Sequence, residues 1–274
     1  MSKKVTDIVI PYKLTQDNGK ELKYALRSIE KNCKFPHRVV IVGDCPDWVD
    51  TKEVLHMPIV IETNKENPKA WNIIEKIRFI TSQNQISDSF VMTYDDIVFS
   101  REITMGELSR PVALSKMPES FEFKTDASAA WKTVFINTMK ALLRNKMPMY
   151  NYETHCPRVF DKQKLADVFE RFGFEKRPYC FPSLYFNSYE KQPLLLSEKE
   201  DQCIKAGLYS QESFEKLKDN LGEFFFTNWS DTMWSEKLEA LLECMFPEPS
   251  KFELKIVEGA SECSASAGSS TDEG

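Results

Sequence analysis

The stretch SFVMTYDDI, residues 89–97, decides how this chain is read. Residues 89–93 form a short apolar run suited to a buried strand, and the adjacent acids Asp95 and Asp96 follow it at once. The chain before it alternates two kinds of segment. Residues 7–10 (DIVI) predict a strand ended by Pro11. Residues 20–31 (KELKYALRSIEK) predict a helix with Leu22, Ala25, Leu26 and Ile29 on one face. Residues 38–42 (RVVIV) predict a second strand closed by the turn pair Gly43-Asp44. A third strand is expected over residues 57–61 (MPIVI), with Pro58 near its start, and a helix over residues 69–82 with Ile73, Ile74 and Ile77 inward. Strands alternating with helices predict an α/β fold, a mostly parallel sheet flanked by helices.

The later chain is less regular and predicts a mainly helical second part. Helices are expected over residues 127–145, 161–172 (with Asp161 as its cap) and 235–245, the last stopped by Phe246-Pro247. A strand is expected over residues 181–186. Residues 258–274 (EGASECSASAGSSTDEG) are small, polar and acidic, and are expected to be a disordered tail. One domain over residues 1–257 follows, with halves 1–100 and 101–257.

Bulk properties narrow the function. Hydrophobic residues are 42% and charged residues 28% of the 274, ordinary globular values. No apolar run reaches the roughly 18 residues of a membrane span, and the N-terminal segment lacks a secretory apolar core. Seven cysteines without a CxxC pair imply reduced thiols and a cytoplasmic location, so the sequon at Asn228 is expected to be accidental. A net charge of −6 argues against non-specific binding to nucleic acid or anionic membrane. The charge is uneven: residues 99–165 carry 11 Lys/Arg against 7 Asp/Glu, and residues 198–274 carry 7 against 17. The basic middle could serve phosphate groups or be ordinary solvated surface.

In open α/β sheets, ligands bind beyond the carboxyl ends of the strands. Asp95 and Asp96 fall there, and two crowded carboxylates select a hard divalent cation, Mg²⁺ or Mn²⁺. A solvated turn explains the same spacing equally well. Pro11-Tyr12 and Asp44 end the first two strands and would face the same crevice, although a turn acid is the simpler account of Asp44. Arg27, on the first helix, could take a phosphate in a bidentate grip or make a salt bridge. His37 and His56 look like sheet-edge residues. His155, which could ligate metal or serve as acid or base, lies in the polar loop NYETHCPR (151–158) with Glu153, the candidate base for an acceptor hydroxyl; Asp161 is the second candidate base, although capping explains it more simply. The phenylalanines 224–226 suit a core, whereas Trp229 and Asp231 fall in a polar break suited to an acceptor.

The opening DIVIPYK strand, the ELKYALRSIEKN helix, RVVIVGD and YDD resemble the GT-A glycosyltransferases, with YDD in the place of the family's DXD motif. ELKYALRSI, YDDIVFS, THCPRVFDK and FPEPSKFE also resemble the Stealth group of sugar-phosphate transferases, which has a GT-A-like core. The resemblance implies a GT-A-like (Rossmann-like) fold with a nucleotide-sugar-binding half over residues 1–100 and an acceptor-side half over 101–257. It implies Mn²⁺ or Mg²⁺ and a nucleotide sugar, a UDP-sugar first, as cofactors. Asp95 and Asp96 would coordinate metal and the donor diphosphate, with Tyr94 also at the donor, and His155 would lie near the metal or the leaving group. Asp44 would contact the nucleoside, Pro11-Tyr12 would wall the base pocket, and Lys69 or Asn72 would approach donor phosphate or sugar. Transfer to an acceptor hydroxyl is expected, on a glycan precursor or alternatively a modified nucleobase in DNA. Sugar-1-phosphate transfer and a non-catalytic GT-A-like binding module remain open alternatives.

Overall fold

The computed structural model describes residues 5–14, 18–62, 65, 67–122, 129–189, 192–196, 205–208, 210–218 and 222–255. The first half contains β1 (Thr6–Tyr12), α1 (Lys20–Asn32), β2 (His37–Gly43), β3 (Val54–Met57), α2 (Pro68–Thr81), β4 (Ser89–Met92) and β5 (Ile97–Phe99). There follow α3 (Met105–Leu108), β6 (Val112–Ala113), α4 (Met117–Glu122), α5 (Ala129–Arg144), β7 (Arg158–Asp161), α6 (Lys162–Phe172) and α7 (Phe181–Tyr189). The chain closes with β8 (Leu194–Leu195), β9 (Lys205–Leu208), α8 (Gln211–Lys218), β10 (Phe226–Trp229) and α9 (Glu236–Met245). The tail expected over residues 258–274 lies outside the described residues, as does part of the 127–145 helix.

The main sheet has the order β3-β2-β1-β4-β7. Its first four strands are parallel and β7 runs antiparallel to β4. Period-two alternation sends successive side chains of the central strands to opposite faces. Ile8, Ile10, Val39, Ile41 and Val91 pack with Leu22, Leu26 and Ile29 of α1. Val9, Val40, Val42, Phe90 and Met92 pack with Ile74, Ile77 and Ile80 of α2 and with Leu184 and Phe186 of α7. Each such side chain contributes about 1.5–3 kcal/mol on burial. Both faces are therefore apolar, which explains the near-continuous hydrophobic runs of these strands.

Two expected strands are corrected. The third lies at Val54–Met57, in register with Val39–Val42, and not at 57–61. Pro58 has no N–H to give a ladder, so it ends the strand and does not start one. Residues 181–186 belong to helix α7. Every residue from Phe181 to Asn187 is buried, so no apolar stripe marks the helical period, and Pro182 sits in the first turn where its missing N–H is harmless. Asp161 caps α6 as expected, its side chain accepting from the Lys164 amide at 2.9 Å.

The sheet β5-β10-β9 lies against α1, and a third apolar cluster, including Trp229, Leu238 and Leu242, covers the outer side of β10. The C-terminal segment is bound to α1 by Arg27. Its Nε and Nη2 meet both oxygens of Glu253 at 2.9 and 3.0 Å, and its Nη1 donates to the Phe246 carbonyl at 2.9 Å. Ser250 adds an amide and a hydroxyl donor to the same carboxylate. This fixes Phe252 in the cluster beneath α1. Burial raises the Glu253 pKa, but the hydrogen bonds and charge of Arg27 with the Ser250 amide outweigh it, and the carboxyl lies below its ordinary value of 4.5.

Arg27→Ala would leave Glu253 buried without its partner, and a loss of about 3 kcal/mol or more in urea unfolding is expected. Because the folded Glu253 pKa is depressed, its stabilising effect is complete above about pH 4.5 and disappears as pH falls through the folded value. The stability gap between wild type and Glu253→Gln, followed by denaturation at successive pH values, should therefore narrow toward pH 3.

Candidate functional site

The connection after β1 leads to β2 on one side, while β4 pairs with the other side of β1. Such a reversal opens a crevice beyond the carboxyl ends of the two strands. Pro11 and Tyr12 end β1 there, both buried. Gly43 and Asp44 end β2. Thr93, Tyr94, Asp95 and Asp96 follow β4 and lead directly into β5 of the second sheet. The acid pair is thus held in a turn between two sheets, half-buried and reachable from solvent.

α2 supplies the crevice with a residue that sequence reading missed. Asn67 caps the helix, accepting from the Ala70 amide at 3.3 Å, and Pro68 occupies the first turn. Lys69, Asn72 and Lys76, at spacings of three and four, share one helical face. Lys76 is 3% exposed, and its Nζ donates to the Tyr12 carbonyl at 2.5 Å. Burial lowers its pKa, while the charges of Asp44 and Asp95 oppose that shift. The Lys76 chain crosses directly over Gly43, whose φ is +112°. A Cβ there would stand 2.4 Å from the Tyr12 carbonyl oxygen and 2.6 Å from Lys76 Nζ. The spacing 69-72-76 was a usable signal in the sequence, obscured because a lysine on an amphipathic helix is ordinarily solvated.

Lys76 changes the expected electrostatics of the acid pair. Asp95 already lies in the field of a buried ammonium, together with Asp44. Asp96 acts instead on Tyr94. Burial chiefly raises the Tyr94 pKa; Arg158 opposes this, and Glu153 and Asp96 add to it, so the hydroxyl stays protonated. Asp44 is exposed and accepts from the Leu14 amide at 2.8 Å, which fixes the chain after β1.

The loop 151–157 reaches this crevice because β7 is antiparallel: Arg158 pairs with Met92, the last residue of β4. Glu153 is half-buried and accepts from Ser183 Oγ of α7 at 2.9 Å, which orients its carboxylate. His155 is exposed, at a left-handed φ of 48°, with its ring centroid 6.0 Å from that of Tyr94.

Other candidates lie elsewhere. Asp161 is at the far end of β7, opposite Ser89, at the amino edge of β4, and serves as a helix cap. Arg27 spends its donors on Glu253, Glu243 and the Phe246 carbonyl, which leaves it a structural clamp and not a phosphate grip. Trp229 lies in β10, 1% exposed, with Nε1 donating to Glu21 Oε1 at 2.5 Å, so it is core and not part of a polar break. His56 holds the Gly43 carbonyl at the sheet edge (2.9 Å). Among the described residues, no group of three or more His, Cys, Asp or Glu converges as a metal site, so His155 does not join Asp95 and Asp96 in a ready ligand set.

No protein-family model matches the sequence, and no curated protein does either. The structure is similar to that of the galactosyltransferase LgtC solved with donor and acceptor sugar analogs (TM-score 0.50, 8% identity, 90% of this chain and 98% of that one). It also aligns with the bifunctional glycosyltransferase WbbM (0.46, 13%, 83% and 46%) and with GlyE of Streptococcus pneumoniae (0.42, 11%, 88% and 60%). The likeness to LgtC establishes the fold: the chain has the GT-A architecture, a mostly parallel sheet flanked by helices. The likeness to the Stealth group rests on the short sequence segments alone.

Gly43→Ala should destabilise the protein by about 2–3 kcal/mol, since it adds a left-handed strain to a backbone clash. Thermal unfolding checks this, and Gly106→Ala, where a Cβ would meet Thr104 Oγ1 at an unstrained 3.8 Å, should be close to neutral by comparison.

Proposed function

We propose that this GT-A chain is a metal-dependent glycosyltransferase that moves a sugar from a nucleotide sugar to an acceptor hydroxyl. The observation that carries the reading is the meeting, at one reversal of strand order, of Asp44, Lys76, the Asp95-Asp96 pair and the Glu153 loop. The hard oxygen donors of Asp95 and Asp96 suit Mg²⁺ or Mn²⁺, and the lack of a third protein ligand among the described residues suits an ion that completes its shell with phosphate oxygens and water. Asp95 and Asp96 would hold that ion, which when bound supplies positive charge to the leaving diphosphate.

The chain's own groups account for the rest. Tyr12 and Pro11 wall the nucleoside end, and Asp44, with one oxygen on the Leu14 amide, keeps lone pairs for a ribose hydroxyl. Lys69 and Asn72 open α2 toward the donor sugar and phosphates, and Lys76 beneath them holds positive charge in a site that needs it as the phosphate leaves. Tyr94 stays neutral and can donate. Glu153, oriented by Ser183, accepts the proton of the acceptor hydroxyl as that oxygen bonds to the anomeric carbon and the carbon–phosphate oxygen bond breaks. The nucleoside diphosphate departs. A glycan precursor is the acceptor favoured by the net charge of −6; a nucleobase in DNA would require a more basic face. Among the described residues no helix is long and apolar enough to cross a membrane.

A panel of nucleotide sugars with Mn²⁺, screened by thermal shift, should contain one that stabilises the fold by about 2.7 kcal/mol at 100 times its Kd, a UDP-sugar first. Asp96→Asn with Asp95→Asn should lower turnover at least about 100-fold at unchanged folding, or about 2.7 kcal/mol. Full metal-dependent activity in the double variant would refute the acid-pair assignment. Release of nucleoside monophosphate in place of diphosphate would refute glycosyl transfer.

A further inference from the structure

Arg158 is 6% exposed and makes no ion pair among the described residues. Its side chain hydrogen-bonds through Nη2 alone, to the Tyr152 carbonyl and to Thr154 Oγ1 at 3.0 Å. Its Nε is buried with no partner. The other strongly buried arginine, Arg27, meets a carboxylate with both arms of its fork, as a guanidinium removed from water requires. An unmet buried donor of this kind costs free energy unless something outside the chain satisfies it.

Arg158 lines a cavity of about 20 Å³ between the 108–112 segment and the loop that carries Glu153 and His155. Ser109, Arg110 and Thr154 supply its other polar walls, Cys156 and Phe186 are among its apolar ones, and no carboxylate among the described residues lines it. Arg110 is exposed, so it stands at the mouth. Lys205 Nζ, on the Thr154 carbonyl at 2.7 Å, adds a further positive charge. The Ser109 hydroxyl gives its proton to the Met105 carbonyl at 2.7 Å, so two arginines and the Thr154 hydroxyl, with no acid among the described residues, make a donor-rich pocket whose room is that of a single oxygen or water.

We propose that this cavity is an anion subsite, taking one oxygen of a phosphate or carboxylate group borne by the acceptor. The Arg158 guanidinium meets that oxygen inside, and Arg110 meets the rest of the group at the mouth. The word acceptor rests on the glycosyl-transfer reading, because the cavity is lined by Thr154, next to Glu153 in the loop, and Arg158 acts with Glu153 and Asp96 on Tyr94. The anion chemistry does not depend on it.

Binding of inorganic phosphate, glucose 6-phosphate and glucuronate to the whole chain can be measured by calorimetry at constant ionic strength, with UDP and Mn²⁺ saturating to block the donor site. Phosphate should bind, and one of the two anionic sugars should bind at least tenfold tighter. Arg110→Gln, at an exposed position, should weaken each about tenfold while leaving UDP–Mn²⁺ binding unchanged, and Arg158→Gln should abolish it. Should Arg158→Gln fail to fold, the Arg110→Gln comparison decides alone. Absence of phosphate binding in the wild type, or equal binding by Arg110→Gln, would overturn the subsite and leave the cavity a water site. Equal affinity for inorganic phosphate and both anionic sugars would overturn the acceptor assignment. Arg110-dependent phosphate binding in a protein that never binds a nucleotide would sink the donor reading and keep the anion site.

Discussion

Parallel pairing of β1 with both β2 and β4 constrains where every polar group of the crevice can stand. It brings the carboxyl ends of three strands to one edge, each with a short polar turn after it. The ladders need apolar faces on both sides, which α1 and α2 provide, so polarity is expelled to that edge. One strand runs the other way. Antiparallel β7 begins where β4 ends, and by doing so carries the Glu153 loop to the crevice from a part of the sequence more than fifty residues downstream. Had β7 been parallel, the same loop would lie at the opposite edge.

Within that edge Lys76 organises the charge. A buried ammonium is costly unless oxygen surrounds it, and here the Tyr12 carbonyl binds it while Asp44 and Asp95 face it. Gly43 makes the arrangement sterically feasible, since the lysine chain passes where any Cβ would be. The adjacent acids consequently have different surroundings, Asp95 beside a cation and Asp96 beside the enclosed Tyr94 hydroxyl. The two carboxylates of one motif therefore stand in unequal fields.

The arginines follow the same electrostatic rule with different outcomes. Arg27 closes a circuit within the chain, its fork filled by Glu253, and so ties the C-terminal segment to the first helix. Arg158, equally enclosed, has no carboxylate among the described residues and lines a cavity instead. Nothing in their immediate sequence neighbours, Leu26 and Ser28 or Pro157 and Val159, tells the two apart.

The sequence by itself determined the alternating elements, the strand at 89–93 (found at Ser89–Met92) with its acid pair, the cap Asp161, and the α/β class, because hydrophobic period and turn chemistry act over a few residues. It erred where that signal fails. The fully buried α7 has no polar face to reveal its period, and at Pro58 one missing hydrogen bond decides whether a strand begins or ends. Only the tertiary structure decided which candidates share a crevice. Strand pairing brings both Glu153 and Asp96 to act on Tyr94, Asp161 is carried to the far edge by three residues of β7, and Arg27 is taken by a partner 226 positions away. Lys76 became a crevice residue for the same reason: its chemistry depends on which backbone carbonyl lies opposite it, and local spacing does not encode that.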